Sequence, residues 1–125
     1  MRMAMIASLA FLGTAPAAAQ SMNAELFHAR ATALQKKGPL ALFSGDVKLL
    51  MTEAKAAGER SHQLRLAAVK AGQKPRYCPP AGKRSMRSDE FMNRLSAIPQ
   101  SERARIDMTE AMIRILSGKF PCPTA

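Results

Sequence analysis

The amino-terminal segment has the three-part pattern of a secretory signal peptide, and this pattern fixes the compartment in which the rest of the chain folds. A positive residue, Arg2, precedes an apolar run, and the small residues Ala17 and Ala19 occupy the alternate positions that a signal peptidase reads. We therefore expect residues 1–19 to be a cleaved signal peptide and residues 20–125 to form a single domain, periplasmic or secreted. A membrane anchor would need roughly 20 apolar residues, and this run is shorter, so we expect no transmembrane segment.

Export places the two cysteines, Cys78 and Cys122, in an oxidising environment, where pairing is the default. The resulting loop of about 45 residues would stabilise the domain by roughly 4 kcal/mol in the chain-entropy model. A catalytic or metal-binding cysteine would need helpers, and His28 and His62 do not stand at ligand-like spacings from either cysteine. We expect a structural disulfide, with no metal and no cofactor.

Apolar residues recur at helical spacing along four segments, and no segment shows the alternation typical of a strand. The segments are bounded by capping residues and by glycine or proline stops. The pattern predicts an all-α fold, a small bundle of about four helices with one disulfide. These helices are predicted to begin and end at Asn23 and Lys37, Ser44 and Gly72, Ser88 and Pro99, and Asp107 and Gly118. Their apolar stripes comprise Phe27, Ala31 and Leu34; Val47, Leu50, Met51, Ala54, Ala57, Leu64 and Ala68; Phe91, Met92, Leu95 and Ile98; and Met108, Met112, Ile115, Leu116 and Phe120.

The second predicted helix is the longest, and Gly58 is its most vulnerable position because glycine costs about 1 kcal/mol relative to alanine in a helix. The small residues Ala54, Ala57 and Ser61 surround it. They would allow another helix to approach closely, so we expect a helix contact there and a break, if there is one, at Gly58.

Positive charge is concentrated in one part of the chain. The formal net charge is +10, and the stretch from Lys55 to Arg87 holds nine basic residues against Glu59 alone, whereas the numbers balance from Ser88 onward. Outside the cytosol such a region would attract acidic proteins, anionic lipid or cell-wall polymers. Nucleic acid is disfavoured by the export signal and by the lack of aromatic stacking residues, since tryptophan is absent and there is one tyrosine. A solvated face that only maintains solubility is the alternative.

The segment 72–88 is rich in proline and glycine and reads as an exposed loop. We take its cationic side chains as the candidate partner-binding residues for an acidic protein. They are Arg76, Lys83, Arg84 and Arg87.

Catalytic motifs are not evident in the sequence. It shows no nucleophile with a base and an orienting group, no paired carboxylates in a recognisable motif and no glycine-rich phosphate loop. We therefore expect a binding protein rather than an enzyme.

The carboxy-terminal half carries a set of short motifs in a fixed order. Tyr77-Cys78-Pro79-Pro80 is followed by a helix that starts at Ser88, by Ile98-Pro99-Gln100, and by a helix that ends in Phe120-Pro121-Cys122. Over residues 77–122 this arrangement resembles the type VI secretion amidase immunity family, known as Tai. The resemblance implies a small helical periplasmic protein that binds a toxic enzyme delivered by a neighbouring bacterium and occludes its active site, frequently as a homodimer. It also implies that Cys78 and Cys122 are paired.

Together these features predict an exported helical protein-binding module, with an immunity-type inhibitor of a periplasmic toxin enzyme as the specific hypothesis. The alternative is a periplasmic chaperone or envelope-stress protein, which would bind unfolded clients through exposed methionine and leucine or bind anionic envelope polymers.

Overall fold

The computed structural model describes residues 21–82 and 85–124, so the predicted signal peptide lies outside the described residues, as do Lys83 and Arg84. Within these ranges the chain forms five α-helices and one 3-10 helix and contains no β-strand. The prediction of an all-α bundle with four main helices is confirmed. The α-helices are α1 (Ala24–Lys36), α2 (Gly45–Lys70), α3 (Ser88–Ala97), α4 (Gln100–Arg103) and α5 (Met108–Lys119).

Helix α1 begins where the sequence predicts, because Asn23 caps it. The Asn23 Oδ1 atom accepts hydrogen bonds from the backbone amides of Glu25 (2.9 Å) and Leu26 (3.1 Å), two of the donors that a helix start leaves unpaired. The Ala24 amide donates to the Ile106 carbonyl at 3.0 Å. The start of α1 is thereby joined to the segment that leads into α5.

The predicted stop at Gly38 and Pro39 is confirmed, but the chain then forms a 3-10 helix, Gly38–Phe43, that the sequence pattern did not predict. Gly38 has a φ of 59°, the left-handed conformation that glycine adopts without steric cost. Three large apolar side chains of this segment point into solvent: Leu40, Leu42 and Phe43. We call Gly38–Phe43 the apolar turn.

Helix α2 is continuous through Gly58 and spans about 39 Å at 1.5 Å per residue. The Ser44 hydroxyl caps it by accepting from the Asp46 amide at 3.3 Å, as predicted. The expected close helix contact is also present, because Ala57 and Ser61 are fully buried. The Ser61 hydroxyl donates to the Ala57 carbonyl at 2.7 Å and lies 3.4 Å from the Thr109 carbonyl oxygen of α5.

The prediction that Ser88 caps α3 is wrong. Ser88 is the first helical residue and Arg87 is the N-cap, without a capping side-chain hydrogen bond. Pro99 ends the helix as predicted, but the polar stretch after it forms the short helix α4. This helix buries the Arg103 side chain against the core.

Helix α5 begins at the predicted cap, where Asp107 Oδ1 accepts from the Glu110 amide at 2.9 Å. The predicted stop at Gly118 is one residue early. Gly118 remains helical, and the capping Phe120 amide donates to the Leu116 carbonyl at 2.7 Å. Glu110 does not complete a capping box, because its carboxylate is engaged by arginines instead.

The core lies between α1, α2, α3 and α5, and most of the predicted apolar stripes point into it. Two predicted members do not, because Met51 is 61% exposed and Leu64 is 53% exposed. The buried hydrophobic core comprises Ala24, Phe27, Leu34, Leu50, Ala57, Leu95, Ile98, Met108, Ala111, Met112 and Ile115.

Candidate functional site

The disulfide fixes the loop after α2 against the end of α5. Cys78 and Cys122 are bonded, with their Cα atoms 4.8 Å apart, which confirms the predicted pairing. The Cys78 amide donates to the Phe120 carbonyl at 2.8 Å, and the Ser117 hydroxyl donates to the Arg76 carbonyl at 2.8 Å. The start of the loop is therefore held by backbone contacts as well as by the covalent bond.

Arg76, a predicted partner-binding residue, is engaged within the molecule. Its guanidinium donates to both carboxylate oxygens of Glu110, at 2.6 and 2.8 Å. The hydrogen bond from Arg76 is the largest cause of the lowered pKa of Glu110, and Arg114 lowers it further. The same contact raises the pKa of Arg76. The Arg76 guanidinium therefore attaches the loop to α5, although its side chain remains 54% exposed.

Arg87 is the other predicted partner-binding residue that the structure describes. The Arg87 side chain is 86% exposed, and its only ion pair among the described residues is with Asp89 at 3.2 Å. Lys83 and Arg84 lie outside the described residues. Of the two candidates that the structure describes, Arg76 is bound to Glu110 and Arg87 is exposed beside Asp89.

A cleft of about 620 Å³ lies between α2, the disulfide-anchored loop, α3 and α5. Gly58 of α2 borders it, and a Cβ atom at that position would meet no other atom within 4 Å. The cleft walls are mainly apolar, with Lys55 and His62 of α2 and Ser85 and Ser88 as the polar groups. The apolar lining comprises Ala54, Tyr77, Pro79, Met86, Phe91, Met112, Leu116 and Phe120.

The aromatic walls of the cleft are held in place by neighbouring side chains. Phe91 packs edge-to-face on Phe27 of α1, with ring centroids 5.9 Å apart. The Arg65 guanidinium lies 5.9 Å from the centre of the Tyr77 ring, at a cation–π distance. The cleft therefore has preformed walls, a property of sites that bind with little reorganisation.

Lys55 supplies an available positive charge at this cleft. It is exposed, lines the cleft and forms no ion pair within residues 21–82 and 85–124. His62 lies two turns further along the same helix face and is half-buried. An apolar cleft with a cationic edge suits a ligand that combines an apolar group with negative charge.

The second histidine, His28, lies away from this cleft. Its Nε2 atom is hydrogen-bonded to the Ser96 hydroxyl at 2.9 Å. Burial lowers the pKa of His28, and the nearby Arg103 lowers it further. His28 thus joins α1 to α3.

The apolar stripes predicted Phe91, Met112, Leu116 and Phe120 as buried. Met112 is buried in the core and Phe91 and Leu116 pack against it, but all four also line the cleft, which the stripes did not predict. Helical spacing identifies the inward face of a helix but not whether the neighbouring helix reaches it. The signal that points to a cleft is the spacing of Ala54, Gly58 and His62, which puts two small residues on one face of α2 and leaves open volume above them.

No cluster of three or more histidine, cysteine, aspartate or glutamate side chains that could hold a metal occurs among the residues the structure describes. In the same part of the chain, no helix has both the length and the apolar character needed to cross a bilayer. Comparison of the chain with protein-family models, with curated proteins and with solved structures finds no match.

Proposed function

We propose that this chain is an exported protein-binding module that neutralises an acidic partner protein, in the manner of an immunity-type inhibitor of a periplasmic toxin enzyme. The observation that carries the proposal is the apolar cleft with Lys55 at its edge, set within the basic stretch of the sequence. Its role is binding rather than catalysis.

The cleft supplies the features of an interface centre. Apolar and aromatic side chains that are already ordered can bury an apolar anchor of the partner, while surrounding charges steer the encounter. Lys55 and Arg87 are exposed on two sides of this region. We assign the electrostatic contact to these two residues, because Arg76 is bound to Glu110.

The Tai-like order of motifs in the sequence supports the inhibitor hypothesis. The segment that carries the resemblance, residues 77–122, contributes most of the cleft lining. The same segment contains the disulfide. A covalently fixed loop suits an inhibitor, since a loop that is already ordered loses little conformational entropy when it binds.

The test is site-specific photo-crosslinking in the periplasm. A photoreactive phenylalanine analogue at Phe120, which lines the cleft, should capture an acidic protein, whereas the same analogue at Gln63, on the exposed face of α2, should not. The captured protein is then identified by mass spectrometry, purified and titrated with the exported chain.

The titration decides between specific recognition and general charge attraction. Lys55→Glu should weaken binding by about tenfold or more, because it places a like charge against an acidic partner. Arg30→Glu makes the same change of charge at an exposed site on α1 and should have little effect. Equal losses in both variants, or a captured partner whose activity is unaffected by binding, would contradict the proposal. Suppression of aggregation of an unfolded test protein would instead indicate a chaperone.

A further inference from the structure

The three most exposed large apolar side chains among the described residues all belong to the apolar turn. Leu40 is 74% exposed, Leu42 is 78% exposed and Phe43 is 89% exposed. Single exposed leucines are normal on protein surfaces, but three adjacent large apolar side chains in one short segment indicate an interaction site.

The turn is held so that these side chains project outward. Ala41 packs against the core, and its carbonyl accepts a hydrogen bond from the Ser44 amide at 2.9 Å. In a 3-10 helix, side chains three residues apart lie on the same side, so Leu40 and Phe43 are neighbours on the surface. With Ala41 directed inward, the turn forms a fixed apolar projection between α1 and α2.

The charges that flank the apolar turn are mostly positive. Lys36 and Lys37 precede it and Lys48 follows it, and all three are exposed. None of the three forms an ion pair with any residue in the described ranges. Asp46 is the single acidic residue between Glu25 and Glu53 in the sequence.

A projecting apolar tip beside free lysines fits the interface of an anionic bilayer better than the surface of a protein. Apolar side chains can enter the boundary between headgroups and acyl chains without a matching pocket, while lysines remain at the anionic headgroups. A stable protein interface needs roughly 800 Å² on each partner, and a six-residue projection offers much less. We propose that the apolar turn inserts into the surface of an anionic lipid bilayer, with Lys36, Lys37 and Lys48 contacting the headgroups.

This surface is separate from the cleft, so the two proposals can fail independently. None of the residues that line the cleft belongs to the apolar turn, and the first α2 residue in the cleft lining, Ala54, comes nine residues after the start of the helix. A membrane contact through the apolar turn would therefore use side chains other than those that line the cleft.

The absence of tryptophan from the sequence makes the test direct. Phe43→Trp introduces a single fluorescent reporter at the tip of the turn, and Leu66→Trp introduces one at an exposed site in the carboxy-terminal half of α2. The exported protein is mixed with vesicles of phosphatidylcholine alone or with vesicles of phosphatidylcholine and phosphatidylglycerol in equal parts. The Phe43→Trp emission should shift to shorter wavelength only with the anionic vesicles and should be quenched by brominated acyl chains, whereas the Leu66→Trp emission should not change.

Two further variants separate insertion from general charge attraction. In the otherwise unchanged exported protein, Leu42→Ser with Phe43→Ser should lower the vesicle partition coefficient by more than about tenfold, because two apolar side chains no longer enter the bilayer. Lys36→Glu with Lys37→Glu should weaken binding strongly, and Lys55→Glu with Lys70→Glu, the same change of charge on α2, should weaken it much less. Equal losses in the two charge variants would overturn the proposal. A blue shift of Phe43→Trp that appears without lipid as protein concentration rises would also overturn it, because a second copy would then cover the turn.

Discussion

Removal of the disulfide is the sharpest test of how this domain is held together. The perturbation is the double substitution Cys78→Ser and Cys122→Ser, which opens a covalent loop with a sequence separation of 44. In the chain-entropy model a loop of this length stabilises the native state by about 4 kcal/mol. Small domains have a total free energy of unfolding of only about 5–15 kcal/mol. The variant should therefore retain its helices but unfold at a much lower urea concentration.

In the chain-entropy model this loss arises in the unfolded state, which the open chain leaves less restricted. In the native state the loop keeps its other attachments, from the Cys78 amide to the Phe120 carbonyl and from Arg76 to Glu110. The assay is urea unfolding followed in parallel by far-ultraviolet circular dichroism and by the fluorescence of Tyr77, the one tyrosine in the sequence. Both signals should change in the same transition.

The control is the wild-type protein with its disulfide reduced, which should lose the same stability as the serine variant. A loss below about 1 kcal/mol would refute the loop-entropy reasoning for this domain. A change in Tyr77 fluorescence at lower urea concentration than the loss of helix would refute it in another way. It would show that the disulfide holds the loop locally rather than restricting the unfolded chain.

Three further predictions concern single residues. Arg103→Met should destabilise the fold by about 1–3 kcal/mol, since it leaves the partly buried Glu25 carboxylate and the Ile98 carbonyl without this donor. Arg105→Met, at an exposed site, should change the free energy of unfolding by less than about 0.5 kcal/mol in urea titrations. The pKa of Glu110 is lowered from its ordinary value of 4.5, chiefly by the hydrogen bond from Arg76. The ionised Glu110 carboxylate therefore contributes to the free energy of unfolding above that pH, and this contribution is lost as pH falls through the folded-state pKa. Glu110→Gln should be less stable than the wild type at neutral pH, and its free energy of unfolding should fall less on acidification. Gly58→Ala should raise the free energy of unfolding by up to about 1 kcal/mol, because α2 is continuous and open space lies at that position; a decrease would contradict this geometry.

The features of the fold that could be predicted from the sequence depend on local chemistry. Asn23, Ser44 and Asp107 cap helices where their side chains suggested, because a short polar side chain before an apolar stripe meets unpaired amides nearby. The Cys78–Cys122 pairing followed from there being two cysteines in a chain expected to be exported.

The features that could not be predicted depend on contacts between distant segments. Arg76 was expected to face a partner, but it lies beside Glu110, 34 residues away along the chain. No motif singles out Arg103 among the charged residues between Pro99 and Asp107. Arg103 is buried because Glu25 of α1 accepts from its Nε at 2.7 Å and because the Ser96 and Ile98 carbonyls accept from the same guanidinium. Sequence spacing alone carries no information about such partners.

The distribution of arginine and lysine suggests a division of roles between the two kinds of cation. Arg60, Arg76, Arg94, Arg103 and Arg114 each form an ion pair with a glutamate, and several of these pairs join different helices or the loop to a helix. A planar guanidinium with several fixed donors suits such internal contacts.

Most of the lysines, in contrast, remain exposed and unpaired within the described part of the chain, including Lys36, Lys37, Lys48 and Lys55. A strongly hydrated ammonium on a flexible stem is suited to contacts with anionic groups outside the molecule. The internal arginine pairs engage five of the six glutamates, whereas Glu59 accepts a hydrogen bond from Gln63 instead. The positive field that the proposed acidic partner and the proposed anionic bilayer would both meet comes from the excess of 19 basic over 9 acidic residues, and the arginine pairs leave much of it on the exposed lysines.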